Sequence, residues 1–312
     1  MQDLKYTRLA FLMKIKTTIG RYKIYLLGWV LIFMSLIHPN TIYTRNILST
    51  DQPSYLLPIH YIPNISEHIK NTDELIKQEY RPLKAINNIG MYDNVMKNSS
   101  DFIPWEVAFQ LSGKLLFYNI KNIYFYGHYT QRSHWQCYVG SPFFRATDYK
   151  PGVFVETPFD REISYVSDVN VRLGIVHHSN GLGTPNERTW NRIYGSCKIK
   201  GDHAYLFIKL WYIIHDNGMK KYNKDIGQYL GYGKLELGYH FGHHHDIKAT
   251  SQLFGKKAFH MQYLIPVTPT FQCIVQGFIG YGNNIMFYNE YTRSVSVGIA
   301  ISDVFKSNRH SR

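Results

Sequence analysis

Three residues on either side of one loop have the types needed for nucleophilic catalysis. His177 and Ser179 lie two positions apart in the segment "VHHSNGLGTPNERTWNRIY", so on a strand both side chains leave the same face. The loop is centred near Thr184, and a symmetric hairpin would place Asn191 opposite His177. A histidine can take the proton that makes serine a nucleophile, and an asparagine carbonyl can fix that histidine's tautomer. The spacing predicts a serine hydrolase site; the simpler interpretation is that these are polar residues at a loop edge.

The elements that must position these residues form a regular series of candidate strands. Alternate connections between the strands are short, and those in between are longer and more polar. An even number of strands with short turns at one end and loops at the other is typical of outer-membrane barrels. The twelve candidate strands are 54–63, 105–117, 123–136, 151–159, 165–179, 189–200, 203–215, 226–241, 246–254, 258–266, 270–281 and 292–304.

Alternation within the strands separates an apolar face from a polar one. On the segment 165–179, odd positions such as Leu173 are apolar, and even positions such as Asp168 and Arg172 are polar or charged. In a membrane barrel the apolar face meets lipid and the polar face lines the lumen. We predict an all-β fold, a twelve-stranded antiparallel transmembrane β-barrel of outer-membrane type with short periplasmic turns and longer extracellular loops. The candidate His and Ser share the apolar face, where the ester bond of a membrane lipid would lie.

Composition and charge exclude some classes and leave others open. Aromatic residues make up 16% of the 312 residues, which suits strands and membrane boundaries, and the hydrophobic share of 45% argues against a helical membrane protein. The formal net charge is +13, but the positive residues are scattered and form no basic run, so we expect no nucleic-acid partner. The three cysteines form no metal motif, and at least one is unpaired. A soluble secreted all-β binding protein remains an alternative.

The domain organisation is expected to be simple. Basic residues precede an apolar run over 24–37, which predicts a signal peptide within residues 1–45, with an uncleaved anchor as the alternative. Residues 46–305 are predicted to form a single barrel domain that includes a long polar loop at 64–104. Residues 306–312 would be a polar tail after the terminal aromatic Phe305.

Two further polar features need an interpretation. The triplet at 243–245, "HHH", lies in a tight turn without a carboxylate cluster, so we do not expect it to hold a metal. Gln131 interrupts the apolar face of its strand. An unpaired amide in hydrocarbon is costly, so Gln131 is predicted to lie at a contact between subunits.

Longer stretches of the sequence resemble one family, outer membrane phospholipase A. The motif H-x-S-N-G followed by W-N-R on the next strand is present at His177–Gly181 and Trp190–Arg192. The segments "EVAFQLS", "YTQRSHWQ", "SPFFRATDYKP", "LGYGKLELGYHFG" and "YGNNIMFYN" are also similar, in order and at compatible spacing. The resemblance covers roughly residues 55–305.

The resemblance implies an outer-membrane enzyme of Gram-negative bacteria that hydrolyses the acyl esters of phospholipids, with A1 and A2 activity and with lysophospholipase activity left open. It implies Ser179 as nucleophile, His177 as base and Asn191 as orienting residue, the assignment that the spacing predicts. The Gly181 N–H would help to hold the oxyanion. Members of the family need calcium and act as homodimers, and Gln131 matches an interface residue.

Departures from the family's pattern are concentrated at the metal. Glu187 stands where the family has a serine ligand, and Thr184 replaces a nearby acidic residue. The backbone carbonyl ligands would come from Leu182 and, across the dimer, from Gly140. A carboxylate at 187 is a suitable calcium ligand. A passive or inactive outer-membrane barrel, a pore or an adhesin, remains the alternative function.

Overall fold

The computed structural model describes residues 46–71, 102–140, 142–159, 166–183, 186–242 and 245–301. The predicted signal peptide, most of the 64–104 loop, Thr184, Phe305 and the polar tail lie outside these ranges and stay predictions, as does the single domain. Within the described ranges, no helix has the length and apolar character needed to cross a membrane.

Among the described residues, thirteen strands form one continuous sheet. They are β1 (Leu48–Ser49), β2 (Ser54–Tyr61), β3 (Trp105–Ile120), β4 (Ile123–Gln136), β5 (Phe143–Phe159), β6 (Asp168–Ser179), β7 (Thr189–Lys200), β8 (Ala204–Ile214), β9 (Gly233–Phe241), β10 (His245–Leu253), β11 (Ala258–Pro266), β12 (Phe271–Gly280) and β13 (Thr292–Ile301). Short helices lie at Asn217–Tyr222 and Ile226–Leu230, and residues 65–71 are also helical.

The sheet closes into a barrel of twelve strands. Each strand from β2 to β12 pairs antiparallel with the next, and β13 pairs antiparallel with β2 to complete the ring. The short β1 lies beside β3, with Leu48 opposite Leu115, and continues the edge of β2. The predicted twelve-stranded antiparallel all-β fold is confirmed.

The two faces of the barrel wall differ in polarity as the alternation predicts. Leu173 and Ile175 on the outer face are 53% and 49% exposed. On the inner face, Arg172 donates from Nε to Glu156 (2.6 Å) and from Nη1 to Asp51 (2.7 Å). Charged groups deprived of water need such partners, so the lumen is crossed by ion pairs.

The predicted strand boundaries differ most from the structure at two places. Strand β5 begins at Phe143 instead of 151, and the predicted strand 226–241 begins with the helix Ile226–Leu230 and continues as β9 only from Gly233. Ile226 and Leu230 are spaced for one face of a helix, and both are buried there. Gly231, with φ of +66°, ends this helix in the left-handed region.

Apolar residues of the long loops pack over one end of the barrel. One cluster combines the end of the barrel wall with the two helices and the loop 281–291; its buried members are Trp190, Ile213, Met219, Ile226, Leu230, Ile285 and Tyr288. Asp225 accepts a hydrogen bond from the Tyr288 hydroxyl, and burial, together with this carboxylate, raises the pKa of Tyr288. The loops at this end are therefore packed structures that support the strand ends beneath them.

Candidate active site

The hairpin of β6 and β7 brings the candidate residues to one end of the barrel wall. His177 lies directly opposite Asn191, and Ser179 lies opposite Thr189. The register that a symmetric hairpin predicts is therefore present. His177 is exposed on the outer face, whereas its neighbour His178 points inward and is buried.

A hydrogen bond joins two of the three candidates. His177 Nδ1 lies 2.8 Å from Asn191 Oδ1, and Asn191 Nδ2 donates to Asp216 Oδ2 at 2.6 Å. Because the amide nitrogen is engaged by a carboxylate, its oxygen faces the imidazole, and His177 Nδ1 must be the donor. His177 Nε2 is then left as a proton acceptor.

Ser179 shares the outer face with His177 but is not bonded to it in this structure. Its side chain is half-exposed, and no hydrogen bond among the described residues joins its hydroxyl to the imidazole. Catalytic hydrogen bonds are often long in the absence of substrate and tighten on binding. The structure thus places the candidate nucleophile and the candidate base on adjacent outward positions of one strand.

Gly181 has a backbone conformation that only glycine adopts readily. Its φ is +69°, and a Cβ at this position would lie 2.6 Å from Cε2 of Tyr149. Among the described residues, no acceptor is bonded to the Gly181 N–H. The loop thus presents a backbone donor two residues after Ser179 that no described residue engages.

Asn180 fixes the loop that carries this donor. Its Oδ1 accepts from the N–H groups of Leu182 (3.3 Å) and Arg188 (3.0 Å), and its Nδ2 donates to the carbonyl of Asn186 (2.7 Å). Asn180 is buried. A single side chain therefore ties both ends of the loop together, which keeps Gly181 in place beside Ser179.

Asp216 is a residue of the site that was not predicted from the sequence. It lies after β8, at the N-cap of the helix Asn217–Tyr222, and accepts from Met219 N–H at 2.8 Å. The segment "HDNG" carries a sequence signal for this cap, since Asp before a helix is a preferred N-cap. Nothing in the sequence linked it to Asn191, which lies 25 residues earlier.

The Glu187 carboxylate, one of the groups that the resemblance assigns to calcium, lies beside this centre. A Cβ added to Gly218 would lie 3.3 Å from Glu187 Oε1 and 3.5 Å from Asp216 Oδ1, so the glycine leaves space next to both carboxylates. Leu182 is half-buried in the same loop as Glu187, and Gly140 is exposed in the turn after β4. Carboxylate and carbonyl oxygens are the donors that Ca²⁺ prefers, so the residues present fit that ion.

A second group of potential metal ligands lies inside the barrel. His60, Glu106 and His134 are fully buried, with His134 Nδ1 2.9 Å and His60 Nε2 3.6 Å from Glu106 Oε1. Arg145 already forms two hydrogen bonds to the same carboxylate, at 2.8 and 2.7 Å. A divalent cation here would lack a compensating negative charge, so we interpret the group as a buried ion-pair network.

The histidine triplet is only partly described. His245 is bonded through Nδ1 to the Tyr263 hydroxyl at 2.8 Å and stacks on Phe241. His243 and His244 lie outside the described residues. These contacts tie His245 to the neighbouring strands β9 and β11.

Gln131 lies on the outer face of β4, two strands away from the candidate serine. Its Oε1 accepts from the Tyr129 hydroxyl at 2.9 Å, and its Nε2 donates to Ser133 Oγ at 3.2 Å. The amide is therefore paired within one chain. Its place at a subunit contact stays a prediction.

Comparison with known proteins agrees with the resemblance. A profile of the family described as Phospholipase A1 matches residues 43–301. The chain is 32% identical to Phospholipase A1 of Salmonella typhimurium over 243 residues, which cover 75% of this chain and 78% of that protein. It is also 32% identical to Putative phospholipase A1 of Neisseria meningitidis over 185 residues, but spans only 48% of that relative's length and 56% of its own.

Solved structures show the same architecture. Outer membrane phospholipase A from Escherichia coli matches with a TM-score of 0.68 and 25% identity, over 86% of this chain and 95% of that chain. The Salmonella typhi outer membrane phospholipase, a dimer with bound calcium, matches with a TM-score of 0.68 and 26% identity, over 82% and 92% of the respective chains. The chain therefore belongs to the phospholipase A1 family of ester hydrolases and is a β-barrel of the bacterial outer membrane.

Proposed function

We propose that this protein is a calcium-dependent phospholipase that cleaves acyl ester bonds of membrane phospholipids with a Ser179–His177–Asn191 triad. The observation that carries the proposal is the 2.8 Å hydrogen bond between His177 and Asn191 on the outer wall, in the strand that also presents Ser179. In a membrane barrel this wall meets lipid, so the triad lies where the acyl esters of phospholipids are found.

Hydrolysis would proceed in two halves. His177 Nε2 takes the proton of Ser179 Oγ as the oxygen attacks the acyl carbonyl carbon. The Gly181 N–H donates to the oxyanion that forms. His177 then protonates the departing lysophospholipid oxygen, and the carbon–oxygen bond breaks to leave an acyl-serine. In the second half, His177 deprotonates a water molecule that attacks the acyl-serine, and the fatty acid leaves as Ser179 regains its proton.

Asn191 would keep the base in the correct tautomer throughout. Its carbonyl accepts the Nδ1 proton, which leaves Nε2 free to accept from serine. A neutral amide stabilises the imidazolium less than a carboxylate does. Loss of Asn191 should therefore lower the rate without removing the base.

Calcium is assigned to the oxygen atoms beside the triad. Glu187 would supply its carboxylate, Leu182 its carbonyl, and Gly140 of the partner subunit a further carbonyl, with Thr184 a weak candidate. When the ion is bound, its positive charge would stabilise the developing oxyanion. A dimeric active form is supported by the Salmonella typhi structure, which is a dimer with bound calcium, and Gln131 is the residue of this chain assigned to the interface.

The test is acyl release from phosphatidylcholine in detergent micelles by the refolded protein, with calcium and with excess chelator. Ser179→Ala is the matched blank, and circular dichroism verifies that both barrels are folded. The expected result is hydrolysis that needs Ser179 and calcium. Hydrolysis that persists in Ser179→Ala would overturn the triad, and hydrolysis in chelator would overturn the metal site. A folded wild-type barrel without activity would support a passive barrel instead.

A further inference from the structure

We propose that Asp216 is a positioning residue that holds the Asn191 amide in its catalytic orientation, an inference that rests on the proposed function. The two ends of an asparagine amide have nearly the same shape, and only hydrogen bonds decide which end faces a neighbour. Asp216 Oδ2 lies 2.6 Å from Asn191 Nδ2. A carboxylate accepts but does not donate when ionised, so it pairs only with the nitrogen end.

The orientation matters for the chemistry of His177. With the amide reversed, its NH₂ would face Nδ1, and the imidazole would have to carry its proton on Nε2 to avoid two opposed donors. A protonated Nε2 cannot accept the proton of Ser179. Asp216 therefore excludes the unproductive tautomer through Asn191, without touching the substrate.

Asp216 is itself held rigidly relative to Asn191. Its second oxygen accepts from Met219 N–H, and Met219 is buried. At the other end of the same short helix, Asn223 exchanges two hydrogen bonds with the backbone of Thr189, accepting at 3.0 Å and donating at 2.8 Å. Thr189 lies two residues before Asn191 on β7, so the helix is fixed to the strand that carries the amide.

The two oxygens of Asp216 accept from two different donors, Asn191 Nδ2 and Met219 N–H. Variants can therefore remove the bond to Asn191 while the helix cap is kept. In Asp216→Ser the hydroxyl can still cap the helix but is too short to reach Asn191. We expect kcat to fall roughly 10- to 100-fold, as when a catalytic group is misplaced, with an unchanged KM and a folded barrel. Asp202→Ser, the same change in the exposed turn after β7, should leave kcat at the wild-type value.

Two double variants separate positioning from a structural role. If Asp216 acts through Asn191, Asp216→Ser should lower kcat little further in an Asn191→Ala background. If Asp216 has a purely structural role, the losses in kcat of the two single variants should multiply in the double variant.

Asn191→Asp alone brings the new carboxylate at 191 against the carboxylate of Asp216, so its kcat should be lowered. Adding Asp216→Asn exchanges the two side chains and restores every hydrogen bond. The carboxylate, now on β7, accepts from His177 and from the amide, and the amide oxygen accepts from Met219 N–H. The exchanged pair should therefore exceed both single variants in kcat.

The experiment measures kcat and KM on phosphatidylcholine micelles at saturating calcium for all these variants, beside wild type and Ser179→Ala. Three results would each overturn the role of Asp216 while leaving the proposed function intact. They are a wild-type kcat for Asp216→Ser, losses in kcat that multiply when Asp216→Ser and Asn191→Ala are combined, and no recovery of kcat in the exchanged pair. A wild-type protein without Ser179-dependent hydrolysis would overturn the proposed function and the role of Asp216 together.

Discussion

Substitution of Gly181 by alanine tests the proposed oxyanion donor directly. The backbone φ of +69° costs a residue with a Cβ about 1–2 kcal/mol. The new Cβ would lie 2.6 Å from the Tyr149 ring, whereas ordinary contacts begin at 3.4 Å, so loop and ring must separate by 0.8 Å (3.4 minus 2.6). A shift of that size takes a typical N–H···O distance of about 2.9 Å beyond hydrogen-bonding range. We expect kcat to fall about 10²- to 10³-fold, the usual effect of losing one oxyanion donor.

The assay is acyl release from phosphatidylcholine micelles, with unfolding in urea measured in parallel. Gly183→Ala is the matched control, because a Cβ there has no atom of the described residues within 4 Å and the φ is not in the left-handed region. It should keep wild-type kcat and stability. Adding Tyr149→Ser to Gly181→Ala should recover part of the activity by removing the ring contact. A Gly181→Ala enzyme with wild-type kcat would refute the assignment of this N–H to the oxyanion.

Three other outcomes follow from the same structure. Asn191→Ala should reduce kcat less than Ser179→Ala does, and equal losses in a side-by-side assay would contradict a purely orienting role. Glu187→Gln should raise the calcium concentration needed for half-maximal activity while changing maximal activity little; an unchanged calcium titration would remove Glu187 from the metal site. Arg145→Met should destabilise the barrel by about 3–5 kcal/mol in urea titrations, because it leaves the buried Glu106 carboxylate without its arginine partner; an unchanged midpoint would contradict the ion-pair interpretation.

The parts of the fold set by local alternation were predictable from the sequence. Each strand has a period of two, so the exposed Leu173 and the inward Arg172 were assigned to the correct faces. The opposition of His177 and Asn191 followed from the length of the loop alone. Both predictions depend only on residues close together in the chain.

The parts that depend on tertiary packing were not predictable. Residues 226–230 were predicted as the start of a strand, but they fold as a helix because Ile226 and Leu230 pack against Trp190 and Met219 at the barrel mouth. Asp216 carried a visible capping signal, yet its bond to Asn191 exists only because two loops meet in space. The metal ligands are still predictions for the same reason: they would come from separate loops and from a second chain.

The pairing of β13 with β2 has a consequence for biogenesis. Val295 lies opposite Tyr61, so the contact that seals the cylinder joins residues 234 positions apart (295 minus 61). Such a non-local contact forms late, because the entropy of closing so long a loop must be overcome first. Until then two strand edges offer unpaired backbone groups to any neighbouring chain. A buried hydrogen bond of 2.5 Å then joins the side chains of His60 on β2 and Ser296 on β13, and it stabilises the closed barrel against separation of these two strands.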